Sequence, residues 1–410
     1  MTTTTTRQLR EYQQEGYDAV LAEWAQGINR TVVVHATGLG KTDIIAKLCT
    51  DEALAGGRPM VIAHRSEPLD QFVARVAQYA AIPVGRIQAG LNETHCRILA
   101  ASVQTLCRPK RMASCPKPTM LIIDECHHAM ADSYWDIMTW AGCFESHGTR
   151  TVGFTATLYR ADGQAFDPLF SSVADVKGID WAIDHGWLVE PHGRVIKLRQ
   201  SLDHIRTVAG DLSASGVGSV IEQDARRIVK GWLREADNRI TVAFAPTIES
   251  ANVLVDAFLT ADVAAELVIG STPHEDRSAI YKRLAAGETR VMVNVGVATE
   301  AWDCPAVSCV LIARMTQSAG LYEQMVGRGL RLADGKTDCL VLDVVGVTRK
   351  FELVTLIDIR NARYRSMPQT PRNGAQPAKR HWWQRTNYSD VGLLPTPSFG
   401  RRVLDFIRGR

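Results

Sequence analysis

The chain of 410 residues lacks most of the features that would assign it to a specialised class. No uncharged apolar run approaches the roughly 18–20 residues that a membrane-spanning helix needs, so no membrane contact is expected. Met1, Thr2–Thr6 and Arg7 offer no apolar core for a signal peptide, and residues 1–6 read as a disordered lead-in. The nine cysteines are odd in number and include no C-x-x-C pair. That argues against a disulfide framework and a structural zinc site, and predicts a reducing compartment, the cytoplasm. Neither sign of charge dominates, since the net is only +3.

What is present is an ordinary globular composition, 46% hydrophobic and 22% charged, at a length that suits two domains with an appendage. The small net charge hides an uneven distribution. From Ile359 to the end, 11 basic residues face only Asp390 and Asp405, a local +9, while the preceding residues hold 36 basic against 42 acidic, about −6. A basic tail of this kind predicts a polyanionic partner.

Short apolar runs at Thr31–Val34, Met60–Ala63, Ile98–Ser102, Met120–Ile123 and Thr151–Phe154 suit strands buried on both faces of a parallel sheet. Helical segments such as Pro68–Tyr79 separate them. The alternation resumes at Ile240–Phe244, Glu266–Ile269, Val291–Val295, Cys309–Ala313 and Cys339–Asp343, with helical spacing at Ser250–Leu259 and Asp276–Ala286. Between the two series, Ala209–Ser219 is rich in Gly, Ser and Ala. The expected organisation is an α/β domain over residues 7–193, a linker at 194–224, a second α/β domain at 225–358 and a basic, Trp-containing extension at 359–410.

The strand Thr31–Val34 runs into His35-Ala36-Thr37-Gly38-Leu39-Gly40-Lys41-Thr42, and helix-forming residues follow. Glycines at this junction let backbone N–H groups curl round phosphates, and the helix N-terminus adds a positive dipole end. Thr37, Gly38, Leu39 and Gly40 would form the cradle, Lys41 would reach the β/γ-phosphates, and the Thr42 hydroxyl would ligate Mg²⁺. His35 stands where the usual pattern has Gly. The run Met120–Ile123 ends in Asp124-Glu125, which a parallel sheet would place beside that loop. Asp124 suits the Mg²⁺ shell, and Glu125 could take a proton from an attacking water.

Asp124-Glu125-Cys126-His127 resembles the DEAD/DEAH-box signature of superfamily 2 helicases and translocases, and further motifs follow in that family's order. Leu9–Gln13 resembles its adenine-sensing segment. Ala63–Glu67 and Ala101–Thr105 resemble its nucleic-acid contacts, and Thr155-Ala156-Thr157 its coupling motif. Thr299–Pro305 and Gln324–Arg331 are similar to its second-domain motifs, the latter of the form Q-x-x-G-R-x-x-R. The similarity covers roughly residues 7–350 and implies two tandem RecA-like domains, ATP as substrate and nucleic acid as partner. By that resemblance Arg10, Gln13 and Asp303 contact the nucleotide, and Gln324 places the attacking water. Arg328 and Arg331, expected on one face of a helix, reach the γ-phosphate, with Arg331 as the arginine finger. His127, Thr155 and Thr157 couple the sites, with His127 expected to bond Gln324.

Arg65, Ser102, Gln104, Thr105, Thr247 and Thr299 are expected at phosphates or sugars. In the tail, Lys379, Arg380, Trp382 and Trp383 either stack and pair with a nucleic acid or pack back on the second domain. Ala301 and Leu158 stand where many relatives have Gly and Pro. The style of Gly153–Thr157, Arg160–Gly163 and the Thr299–Asp303 segment is nearer DNA-acting relatives, restriction translocases and repair helicases, so DNA is favoured over RNA. An RNA helicase, and an ATP-gated scaffold recruiting a nuclease or a replication or repair partner, are the other readings.

Overall fold

Each of the apolar runs becomes a parallel strand. The computed structural model describes residues 7–347 except 65, 130, 147, 157–168, 209–210, 237, 298–301 and 317–318. Arg65, Thr157, Thr299, the lead-in at 1–6 and the tail with Lys379, Arg380, Trp382 and Trp383 therefore lie outside the described residues. The first half contributes β1 (Arg30–His35), β2 (Pro59–Ala63), β3 (Val84–Ile87), β4 (Ile98–Ser102), β5 (Met120–Asp124), β6 (Arg150–Thr155) and β7 (Ser172–Lys177). They form one seven-stranded sheet in the order β3-β4-β2-β5-β6-β1-β7, parallel throughout. Val, Ile, Leu and Ala fill both faces, as a sheet covered by helices on each side demands.

Register decides what this sheet presents. Val34 lies opposite Thr155, and Asp124 opposite Phe154, so β1, β5 and β6 end level with one another. The turn after β1, the carboxylates after β5 and Thr155 at the end of β6 thus share one edge, the carboxyl edge where open α/β sheets hold ligands.

The second half adds β8 (Glu190–Ser201), a short antiparallel hairpin of β9 (Thr207–Val208) and β10 (Asp211–Leu212), then β11 (Thr241–Phe244), β12 (Ala265–Val268), β13 (Val291–Asn294), β14 (Cys309–Ile312) and β15 (Asp338–Val347). Six of these strands build a second parallel sheet, β12-β13-β11-β14-β15-β8. The two α/β sheets are the tandem arrangement that the motif order implies.

The segment 194–224 is not a linker. Most of β8 lies in it and pairs along β15 from Glu190 to Ser201. The 22-residue helix Ala214–Glu235 begins in it and buries Val217, Val220, Ile221, Ile228, Val229 and Trp232 against the second sheet. The small residues that suggest a loop are there for close packing. A Cβ on Gly216 would come 2.8 Å from Ile205 Cγ2, and one on Gly218 would come 2.8 Å from Thr247 Oγ1. Glycine lowers helix propensity by roughly 1 kcal/mol, and the apolar stripe outweighs it.

Trp232 anchors that helix. It is 1% exposed, crosses Phe258 edge-on at 5.4 Å, and its indole N–H donates to Thr241 Oγ1 at 2.9 Å. Trp232→Ala should destabilise the second domain by about 3–5 kcal/mol, with a smaller loss for Trp232→Phe, measured by urea unfolding followed by circular dichroism.

Candidate nucleotide site between the two sheets

The phosphate-loop sequence takes the backbone that its glycines permit. Gly38 and Gly40 sit at φ +98° and +70°, in the left-handed region, and the helix Lys41–Leu54 starts directly after. The Lys41 ammonium donates to the His35 carbonyl at 3.1 Å. His35 itself is fully buried, with Nε2 2.6 Å from Asp175 on β7, and Lys177 holds the same carboxylate. Burial pushes the imidazole pKa down, although Asp175 opposes the shift. A histidine therefore fits this first position as a buried, neutral strut rather than as a phosphate ligand.

Asp43, in the first turn of the same helix, is nearly buried and pairs with Arg7 at 2.5 Å and Arg75 at 3.3 Å. Gln13 and Tyr12 reach the loop from the other side. Gln13 Nε2 and the Tyr12 hydroxyl both donate to the Leu39 carbonyl, at 3.0 and 2.9 Å. The Leu39 side chain faces the apolar core, so only its backbone belongs to the loop surface.

Asp124 Oδ1 accepts from the Glu125 amide at 3.0 Å. Glu125 sits at φ +50°, a conformation rare for a side-chain-bearing residue and one that clusters at functional sites. Burial would raise its pKa, but the charges of Lys41, His127 and Arg328 outweigh this and hold the carboxyl well below the usual range. Its Oε2 is buried and stands 3.3 Å from His127 Nδ1, whose ring helps to hold the carboxyl ionised.

The second sheet supplies the facing wall. Arg328 and Arg331 do not share a helix face: the helix Ala319–Gly327 ends before them, and Arg331 forms an antiparallel bridge with Leu188. The exit at Gly329 passes so close to β14 and β15 that a Cβ there would collide with Cys339 and Val310. Even so the arginines converge, both donating to the Trp302 carbonyl, at 2.6 and 2.9 Å. Arg331 also pairs with Asp303 at 2.6 Å. Burial lowers the Arg331 pKa from its ordinary value and Asp303 opposes it; guanidinium stays charged across the working range.

These groups surround one cavity of about 240 Å³. Its lining includes Arg10, Gln13, Thr37, Gly38, Gly40, Lys41, Thr42, Asp124 and Glu125 from the first half, with Asp303, Arg328 and Arg331 from the second. Arg7, Arg75 and Trp187 line it too, and sequence reasoning missed them. Only the charge of the two arginines hinted at them, and nothing near Trp187 forms a motif.

Other expected residues are placed differently. Gln324 is buried and outside the lining. His127 lies 3.3 Å from both Thr155 Oγ1 and Glu125 Oε2, at the ends of β6 and β5, rather than on Gln324. Ser102 Oγ donates to Thr105 Oγ1, which accepts from the Ala89 amide, and both residues are buried. Thr247 caps the helix Ile248–Thr260 through a reciprocal pair with Ser250. These three hydroxyls serve local structure. Gln104 is exposed and donates to the His64 carbonyl at 2.6 Å.

Comparison with known proteins accords with this geometry. The family of the type III restriction enzyme res subunit matches residues 6–160, and the helicase conserved C-terminal domain matches residues 224–333. The chain belongs to helicase superfamily 2. This superfamily 2 chain is 29% identical over 361 residues to IRC3 of Saccharomyces cerevisiae, named as an ATP-dependent helicase, covering 83% of this chain and 52% of that protein. It is 31% identical over 361 residues to a Schizosaccharomyces pombe protein named as the mitochondrial ATP-dependent helicase irc3, covering 84% and 58%. The chain thus spans little more than half the length of these relatives. Its fold matches a fragment of an HsdR subunit of a type I restriction enzyme from Vibrio vulnificus, with TM-score 0.63 at 19% identity over 86% of this chain and 71% of that one.

Because the Glu125 pKa is depressed, its ionised form adds stability that is present above the ordinary carboxylate range and lost as pH falls through the depressed value. Lys41→Ala removes the largest attraction holding that value down. The stability gap between wild type and Lys41→Ala should therefore shrink as pH falls from about 5 to about 2, the value to which Glu125 is held down, read by urea unfolding at each pH.

Proposed function

We propose that this chain is the motor portion of an ATP-dependent helicase or translocase that acts on DNA in preference to RNA. The observation that carries the reading is the single cavity in which Lys41, Thr42, Asp124 and Glu125 of one sheet face Arg328 and Arg331 of the other. Phosphoryl transfer builds negative charge, and this site surrounds it with fixed cations from both halves.

Thr42 and Asp124 are the residues that would hold Mg²⁺. Among the described residues no group of three or more His, Cys, Asp or Glu makes a protein-only metal cage. One hydroxyl and one carboxylate instead suit an ion shared with phosphate oxygens. Bound there, Mg²⁺ would neutralise charge on the β- and γ-phosphate oxygens.

Glu125 is the group to orient the attacking water and take its proton, since its carboxylate lines the cavity together with Lys41, Asp124 and Arg328. With Lys41 free to act on it, the carboxylate is a weak base. A γ-phosphate that draws the Lys41 charge would raise its pKa and make it a better one, so substrate binding primes the base. Arg331 would leave Asp303 for the phosphate, and Arg328 would add charge beside it. Closing and reopening the cleft around ATP would move a strand bridging both domains.

DNA as cargo is supported by the restriction-enzyme family match in the first half and by the restriction subunit of like fold. A nucleotide-gated scaffold would have no need of Lys41, Glu125 and Arg331 together. The nine free cysteines suit a reducing compartment.

ATP turnover should rise with added single-stranded or duplex DNA, and rise less with RNA of equal length. Lys41→Ala and Glu125→Gln should each lower it on the order of 10²–10⁴-fold, and Arg331→Ala on the order of 10³-fold. Steady-state phosphate release measures all three, and turnover indifferent to both DNA and RNA would sink the proposal.

A further inference from the structure

We propose that Lys336 is a positioning residue for the arginine finger: it clamps the loop 302–307 from behind, so that Trp302 and Asp303 hold Arg331 at the cavity. This rests on reading the cavity as an ATP site, and adds what fixes the finger's starting place. Lys336 lies beyond the Q-x-x-G-R-x-x-R motif, which ends at Arg331, and beyond the stretch 224–333 that the helicase C-terminal family matches.

The loop has to be held, because the finger rests on it. The Trp302 carbonyl accepts from both Arg328 and Arg331, and the Asp303 carboxylate pairs with Arg331 at 2.6 Å. Any shift of the loop therefore shifts the finger. Trp302 and Val307 are buried in the apolar core at its two ends. Between them Asp303 and Pro305 are exposed, and Pro305 has no N–H with which to tie the backbone down.

Lys336 supplies the ties. Its Nζ donates to the Pro305 carbonyl at 3.0 Å and to the Val307 carbonyl at 2.5 Å. A tight turn delivers it: the chain reverses through Gly335, at φ +72°, and the Lys336 amide donates to the Ala333 carbonyl at 3.1 Å. Arg331 and Lys336 thus grip one loop from one short segment, the first at Trp302 and Asp303, the second at Pro305 and Val307. Pro305 lines the cavity with Asp303 and Arg331, so the clamp acts on the cavity wall itself.

The chemistry suits a clamp. Lys336 is half-buried, and burial pushes its pKa down to about 8; Arg331 acts in the same sense, while Cys339, Cys304 and Asp338 oppose it. An ammonium has three N–H donors and the neutral amine has two, so both carbonyls are served in either state. Lys336 is outside the cavity lining and so acts through the finger. A misplacement of about 1 Å at a reacting group can cost on the order of 10²-fold in rate, which sets the upper scale of the effect.

Single-turnover ATP hydrolysis with single-stranded DNA and calorimetric titration with ADP, both on the full chain, test this. The variants are Lys336→Met, Lys336→Arg, Arg331→Ala and the double variant Lys336→Met with Arg331→Ala. Lys336→Met keeps the apolar stem and removes the donors. It should slow hydrolysis about 10–100-fold while ADP, which lacks the γ-phosphate, binds within about threefold of wild type. Lys336→Arg can still donate to both carbonyls and should recover most of the rate. Added to Arg331→Ala, Lys336→Met should cost less than about threefold more, since the two act as a unit. An unchanged rate in Lys336→Met would overturn the proposal, as would the same loss with Arg331 already removed, a matching loss of ADP affinity, or no recovery in Lys336→Arg. Should Lys336→Met fail to fold, Lys336→Gln, whose shorter arm falls away from the carbonyls, takes its place in every arm. Wild type that hydrolyses no ATP would instead overturn the motor reading itself.

Discussion

Where the chain passes from the first sheet to the second, Leu188 pairs with Arg331 directly over the phosphate loop. A Cβ on Gly38 would come 3.0 Å from Leu188 Cδ2 and 3.3 Å from Arg331 Cγ, and one on Gly327 would come 2.7 Å from the Thr37 Cβ. The two α/β units therefore touch at the turn that must curl round a phosphate. An apolar cluster seals the joint, with Tyr12, Ala36 and Leu39 of the first unit packed among Leu188, Phe244, Met325 and Leu330. The rest of the site follows from this contact. It sets how far the arginines stand from Lys41, and it leaves a cavity of about 240 Å³ between the two units.

The electrostatics of that cavity are arranged for exchange of partners. Lys41 rests on the His35 carbonyl, Arg331 on Asp303, and both arginines on the Trp302 carbonyl. Each cation has a place to lie in the absence of phosphate, which avoids the heavy cost of an unpaired buried charge. Most of these partners are backbone carbonyls or a half-exposed carboxylate, weak enough to yield to a phosphate. Glu125 is the converse case, a buried carboxylate kept ionised by the same cations.

Rigidity is supplied from behind. Asp43 gathers Arg7, Arg75 and Tyr79 at the first turn of the loop helix, and Asp175 gathers His35 and Lys177 under the loop's start. The positive φ of Glu125 then has a context that can hold it, since β5 lies between β2 and β6 in the sheet and cannot shift.

The sequence alone determined most of the strands and the chemistry of the cavity. Buried parallel strands announce themselves as short runs of β-branched and aliphatic residues, and Gly38, Gly40, Lys41, Thr42, Asp124 and Glu125 lie at strand ends where local order and side-chain type suffice. It did not determine where the second sheet begins. β8 alternates only loosely and needs β15, with Glu190 opposite Asp338, as its partner, while the glycines of the helix at Ala214–Glu235 look like a loop until the surfaces they pack against are known. Nor could it tell that Gln13, Ser102, Thr105 and Thr247 turn their polar groups inward, because a hydroxyl or amide has the same identity whether it meets water or a neighbouring backbone. Tertiary structure alone decided which arginines meet, and that Trp187, outside every motif, lines the cavity between the two sheets. Those facts depend on distances between residues far apart in the chain, which only packing fixes.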